Sequence, residues 1–293
     1  MTPEMTETTG GNDRNGRALA RTGYLARLFN IGEAETVSLT TIERRCRMDR
    51  TTERKATGLA VVTGASRGIG RALSAALVAE GWQVLAASRS GAAPEGAQGV
   101  ACDLATGAGR AALVEAARSA GRPVHLLVNN AGLQEALDFA AATPEAAPAI
   151  GDRAAMEVAL NLTAPVALTA GMVPLMARPG GTIVNVTSLV ARHPKPSAPV
   201  YSATKAGLAS FTRSMRRQLA PLGLRVVEVV PPLVATDMTA GRDAGALGAG
   251  AMAAEVLAGL AAGRRTIAPG KAALVLRLDR VAPWLVARKM AAM

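Results

Sequence analysis

Tyr201 and Lys205 stand four residues apart in the segment Tyr201-Ser202-Ala203-Thr204-Lys205. Helical spacing puts such a pair on one face, so that phenol and amine project together. A free tyrosine titrates at about 10 and is a poor acid–base group at neutral pH. A cation beside its hydroxyl favours the phenolate and lowers that pKa, which suits proton exchange with a substrate oxygen. Ser188, thirteen residues before Tyr201, follows the apolar run 182–186. Open α/β sheets bind ligands along the carboxyl edge of their strands, where this hydroxyl can hold a carbonyl oxygen beside the tyrosine.

A second cluster has the chemistry of phosphate binding. The run Thr63-Gly64-Ala65-Ser66-Arg67-Gly68-Ile69-Gly70 sits between an apolar strand and a helical pattern. Gly64 permits a tight turn, while Gly68 and Gly70 let backbone approach a pyrophosphate at a helix N-terminus. Gly64, Ser66, Arg67, Gly68, Ile69 and Gly70 are therefore expected to bind a dinucleotide; a turn with no ligand is the plainer alternative. At the end of the next strand stand Ser88 and Arg89, and the first acid is Glu95. Arg89 with Arg67 balances a 2′-phosphate, so NADP is expected rather than NAD, although Arg89 could equally be a surface arginine. Asp103 either accepts from an adenine amino group or caps the turn that follows it.

These residues require an alternating framework. Strands are predicted at 59–63, 82–87, 99–102, 124–128, 182–186 and 226–230. Helices are predicted at 67–80, 109–120, 153–177 and 201–219. This order gives an α/β fold: a doubly wound, Rossmann-type parallel sheet covered on both faces, in one domain over residues 58–293. Residues 1–57 are polar, without an apolar stripe, and read as a disordered extension or a non-native start. Only residues 19–31 there have helical amphipathicity, and Met48 is an alternative start.

Composition narrows the classes. The chain has 293 residues, 49% of them hydrophobic, with 33 Lys and Arg against 22 Asp and Glu. The excess is uneven, since residues 264–293 hold seven basic groups and one acid. With two Trp, two Tyr and three Phe there is little to stack bases on, so no nucleic-acid partner is expected. No apolar run reaches the roughly 18 residues of a spanning helix. Cys46 and Cys102 build neither a disulfide framework nor a metal cage, and no metal site is expected. A reducing, cytoplasmic location follows from these and from the absence of a basic-then-apolar start.

The chain resembles the short-chain dehydrogenase/reductase family. Five motifs carry the resemblance in order: Thr63–Gly70, Asn129-Asn130-Ala131-Gly132, Asn161, Ser188, and Tyr201 with Lys205. The resemblance implies that Tyr201 is the general acid, Lys205 holds the nicotinamide ribose and Ser188 orients the carbonyl. It implies further that Asn161 anchors a relay water and Asn130 contacts the adenine-side ribose. Val234 and Thr236 would bind the carboxamide. Two departures stand out. Pro231-Pro232 replaces the family's usual Pro-Gly, as in a bacterial subgroup named for D-alanine transfer, and His125 stands where an acid is common. His125 reads as structural.

The resemblance makes the segment 238–263, rich in Ala, Gly, Met and Leu, a substrate lid; its composition either suits a hydrophobic or long-chain carbonyl compound or only reflects the chain's abundance of Ala and Gly. His193, between Ser188 and Tyr201, reads as a solvated loop residue, with contact to a polar substrate as the alternative, in a loop stiffened by Pro194, Pro196 and Pro199. Residues 273–290 interleave apolar and basic groups, as in an amphipathic helix that Pro283 breaks or restarts. Packing within the chain or between subunits is expected there ahead of peripheral membrane contact. Small residues Ala203, Ala206, Gly207 and Ser210 allow helix pairing, so a homodimer or homotetramer is expected. The reading is an NADP-dependent oxidoreductase acting on a small-molecule carbonyl or alcohol; a non-catalytic NADP-binding scaffold or sensor is the alternative.

Overall fold

The computed structural model describes residues 58–236, 239 and 245–291. The expectations for residues 1–57, and for residues 238 and 240–244 of the expected lid, lie outside them. The chain alternates β1 (Leu59–Thr63), α1 (Gly68–Ala79), β2 (Gln83–Ser88), β3 (Gln98–Ala101), α2 (Gly107–Ser119) and β4 (Val124–Asn129). It continues through α3 (Ala147–Val158), a π-helical turn (Ala159–Thr163), α4 (Ala164–Met172), β5 (Thr182–Val186), α5 (Pro199–Gln218) and β6 (Arg225–Val229). A two-strand ribbon of β7 (Val234–Ala235) and β8 (Leu247–Gly248) precedes α6 (Ala249–Ala261), β9 (Thr266–Ile267), α7 (Ala272–Val281) and α8 (Pro283–Ala291).

Seven parallel strands lie in the order β3-β2-β1-β4-β5-β6-β9. The order reverses between β1 and β4, which opens a crevice at their carboxyl ends. The central strands β1, β4 and β5 are buried on both faces, and alternate residues supply different cores. Leu59 and Val61 join Leu127, Leu168 and Met172 on one side. Ala60 and Val62 join Leu73, Leu77 and Met252 on the other. Both cores must be filled for β1 to stay centred, and β1 carries the glycine turn.

A buried polar chain fixes α5 on the sheet. Asn129 Nδ2 donates to Asn185 Oδ1 (2.8 Å), Asn185 Nδ2 donates to Thr212 Oγ1 (2.9 Å), and Thr212 Oγ1 donates to Leu208 O (2.7 Å). Since every link is buried, each would be costly to break without replacement. The register of Tyr201 and Lys205 over the strand ends therefore follows from β4 and β5.

The doubly wound fold is as expected, with local corrections. The long helix predicted at 153–177 begins earlier and is interrupted by the π turn. α5 starts at Pro199, which fits the first helical turn because its missing N–H has no intrahelical partner there. β9 was not predicted; two residues are too short for a periodic signal. Residues 249–261 of the expected lid form α6 instead, whose Met252, Ala253 and Val256 fill the core beside α1. Their spacing is that of a packed helix. Ala147–Leu175 is one helical run long and apolar enough to cross a membrane, which corrects the reading that no segment qualifies. α3 and α4 instead pack on α5, α2 and β4, and the run carries buried Glu157 in α3 and Asn161 in the π turn.

Leu127 lies at the centre of β4 with no exposed surface. Leu127→Ala is expected to lower unfolding free energy by about 2–5 kcal/mol, measured by urea denaturation.

Candidate active site

The glycine motif is the turn from β1 into α1. Gly64 (φ 68°) and Gly68 (φ 55°) occupy the left-handed region that favours glycine. A Cβ on Gly70 would collide with the Gly64 carbonyl, so α1 can start this close to β1 only without a side chain there. Thr63 Oγ1 accepts from Asn130 N (2.9 Å) and Ala131 N (3.0 Å), and Asn130 Nδ2 donates to Thr63 O (2.9 Å). Asn130 thus braces the turn.

A cleft of about 320 Å³ runs from this turn across the strand ends. Gly64, Ser66, Arg67, Gly68, Ile69, Arg89, Asp103, Asn130, Tyr201, Lys205 and Thr236 line it. Gly70 and Val234 lie behind its wall and are buried. Arg89 is exposed just after β2. Asp103 Oδ1 accepts from Ala105 N (3.0 Å), so it makes the turn cap that was one of its two readings. Thr236 N donates to Thr239 Oγ1 (3.0 Å), and the Thr236 methyl group lies beside Gly68.

At the other end, Lys205 is 4% exposed and its Nζ donates to Val186 O (2.9 Å), the last residue of β5. The amine lies 5.6 Å from the centre of the Tyr201 ring. Burial pulls Lys205 down to about 8, while the Glu157 carboxylate acts to hold its proton. Desolvation pushes the Tyr201 phenol up to about 12, although a hydrogen bond with Ser188 acts to lower it. This corrects the expectation of a depressed tyrosine pKa: the amine is turned to a backbone carbonyl, and loss of water around the phenol outweighs what opposes it. Ser188 caps the short turn after β5, accepting from Val190 N (3.4 Å).

Asn161 lies in the π turn, fully buried behind the cleft wall. Its Oδ1 accepts from Leu133 N (2.9 Å) and its Nδ2 donates to Leu133 O (2.8 Å), so it clamps the loop after β4. A Cβ on Gly132 would lie 3.0 Å from Asn161 Oδ1 and 3.6 Å from Lys205 Nζ. Gly132 is what lets that loop pass between them.

The comparisons agree with this geometry. The short chain dehydrogenase family model matches residues 58–246. The chain belongs to the short-chain dehydrogenase family. It is 40% identical over 186 residues to the uncharacterized oxidoreductase DltE of Bacillus subtilis, covering 61% of this chain and 72% of that one. Carbonyl reductase family member 4 of Danio rerio is 35% identical over 193 residues, covering 62% and 78%. A short-chain dehydrogenase of Burkholderia cenocepacia, solved in complex with NADP, aligns with a TM-score of 0.69 at 27% identity, covering 80% and 97%. This short-chain dehydrogenase is an oxidoreductase of carbonyl or alcohol groups.

One residue beside the site went unread in the sequence, and a second was misread. Glu157 lies one turn before Asn161, with no exposed surface; its Oε1 accepts from Glu135 N (3.4 Å), and its Oε2 has no hydrogen-bond partner among the described residues. Burial raises its pKa. The 157–161 spacing was the available signal, but a carboxylate four residues from an asparagine reads first as a solvated helix face. His193 is the second. Its Nε2 meets Asp279 Oδ1 at 2.5 Å, and Arg192 Nη1 reaches the other oxygen at 3.4 Å. The loop histidine is therefore paired with α7, not solvated, because the C-terminal segment folds back onto this loop.

Glu157→Gln removes the carboxylate that helps Lys205 keep its proton. Activity on the basic side of the pH–rate profile should then fall by roughly tenfold relative to neutral pH, read as an earlier loss of kcat/KM as pH rises.

Proposed function

We propose that this short-chain dehydrogenase is an NADP(H)-dependent reductase of apolar ketones or aldehydes, with Tyr201 as the proton donor. The observation that carries the reading is one continuous cleft with the glycine turn and Arg89 at one end and the Tyr201–Lys205 pair at the other. The turn fits a dinucleotide: its positive-φ glycines and the N-terminus of α1 leave backbone amides for a pyrophosphate. Gly64, Ser66, Gly68 and Ile69 would hold the phosphates, Arg67 and Arg89 the 2′-phosphate, and Asp103 and Asn130 the adenosine end. Lys205, Val234 and Thr236 would hold the nicotinamide end. When bound, the nucleotide supplies a hydride equivalent to the carbonyl carbon.

The remaining chemistry belongs to the chain. Ser188 Oγ orients the carbonyl oxygen and polarises it. Tyr201 gives its phenolic proton to that oxygen as negative charge develops there. A phenol held at about 12 is protonated at neutral pH and loaded for donation, which favours reduction. Lys205 beside it limits the cost of the phenolate left behind, and Asn161 keeps the loop and a relay water in place. Leu133, Met156, Leu160 and Pro231 line the same cleft and favour an apolar substrate. The intact Tyr201–Lys205 pair counts against a non-catalytic scaffold or sensor. Residues 58–293 form the catalytic domain in this reading. Free, buried Cys102 fits a reducing, cytoplasmic setting, and exposed Ala203 and Ser210 on α5 fit pairing in a homodimer or homotetramer. Gly207 is turned to Leu162 of its own chain.

Tyr201→Phe should lower ketone reduction by about 100-fold or more while NADPH binding stays within about threefold. Unimpaired turnover would remove Tyr201 as the acid. Arg89→Ala should weaken NADPH by roughly tenfold and leave NADH nearly unchanged, measured by fluorescence titration. An equal loss for both would end the 2′-phosphate role.

A further inference from the structure

We propose that the outward face of α7 and α8 docks on an anionic lipid surface. In most surface helices apolar residues face the protein and charges face water. Here the body is met by Ala272, Asp279 and Val286, and large apolar groups point away from it. Leu274 is 68% exposed, Val281 74% and Trp284 66%, with Leu278 and Leu285 also exposed. Leu274, Leu278 and Val281 follow i, i+4, i+7 spacing and so share one stripe of α7. Trp284 and Leu285 extend it into α8, after the break at Pro283.

The charge around this stripe selects the occupant. Arg277, Arg280, Arg288 and Lys289 are exposed on the same two helices. Asp279 is the one acid of the segment, and it is turned inward, where Arg192 and His193 already engage it. An apolar stripe rimmed by four cations with no outward acid matches a layer of acyl chains beneath anionic headgroups. A second copy of the chain fits less well, because a two-fold contact would set the same cations against themselves. The contact through Asp279 also places the inner face of α7 beside the loop between Ser188 and Tyr201. A lipid-docked orientation would hold that loop near an apolar phase, where carbonyl compounds of the proposed class partition. The docking itself stands on the exposed face alone and holds whatever the substrate.

The test is sedimentation of the full-length protein with vesicles of phosphatidylcholine alone or with about one third phosphatidylglycerol. Binding is expected to the anionic vesicles only, weakening as salt rises, with a blue shift of tryptophan emission. Trp284→Ala should remove that shift. The pair Arg288→Glu and Lys289→Glu should lower partitioning by roughly tenfold or more, with NADPH binding unchanged. No sedimentation with phosphatidylglycerol vesicles would overturn the proposal. So would vesicle binding indifferent to both sets of variants. If Leu278→Ser and Trp284→Ser instead convert an oligomer to a monomer in analytical ultracentrifugation, without any vesicle binding by the parent protein, the face is a subunit contact and the proposal fails.

Discussion

A lysine amine taken out of water costs several kcal/mol unless neighbouring groups replace its hydration. Lys205 is in that position at 4% exposure. What replaces water is a carbonyl at the end of β5, the face of the Tyr201 ring and the field of a buried carboxylate on α3. Each comes from a different element, so the position of that amine depends on the whole central region being assembled. The asparagine chain from β4 through β5 to α5 sets the height of the helix. The π turn and Gly132 let the loop after β4 close against the amine without a side chain in the way.

The same burial shifts the two groups in opposite directions. The environment that pulls Lys205 down to about 8 pushes Tyr201 up to about 12. Glu157 moves the two groups in the same sense, favouring the protonated form of each, because a negative charge opposes loss of a proton from either one. The site is tuned as a proton reservoir facing a cleft, with Ser188 acting against the shift on the phenol. Donation to an alkoxide-like oxygen is downhill from such a phenol, whereas removing a proton from an alcohol requires its ionisation first. In the proposed reaction, proton donation would depend on two residues that line the cleft and on one that does not.

Much of this was legible in the sequence, for physical reasons that differ between elements. Apolar runs bounded by glycines mark buried parallel strands strongly, so β1, β4, β5 and β6 fall within a residue or so of their predicted places. Tyr201 and Lys205 were legible because chemistry-bearing types at helical spacing need no tertiary information. The roles of Asn130 and Asp103 as braces were harder to read, since polar side chains satisfy backbone groups wherever the turn puts them. Glu157 was missed because burial of a carboxylate is set by packing of α3 on α5, which periodicity does not reveal. The inward turn of Asp279, and with it the outward apolar face of α7, likewise depends on a contact 86 residues away along the chain.

Binding of reduced nicotinamide nucleotides to the purified chain, followed by the change in their own fluorescence, tests the assignment most directly. The roles proposed for the glycine turn and Arg89 predict that NADPH binds tightly and NADH at least about tenfold more weakly. If neither nucleotide bound, the cleft would not be a dinucleotide site, and the roles given to Tyr201 and Lys205 would fall with it.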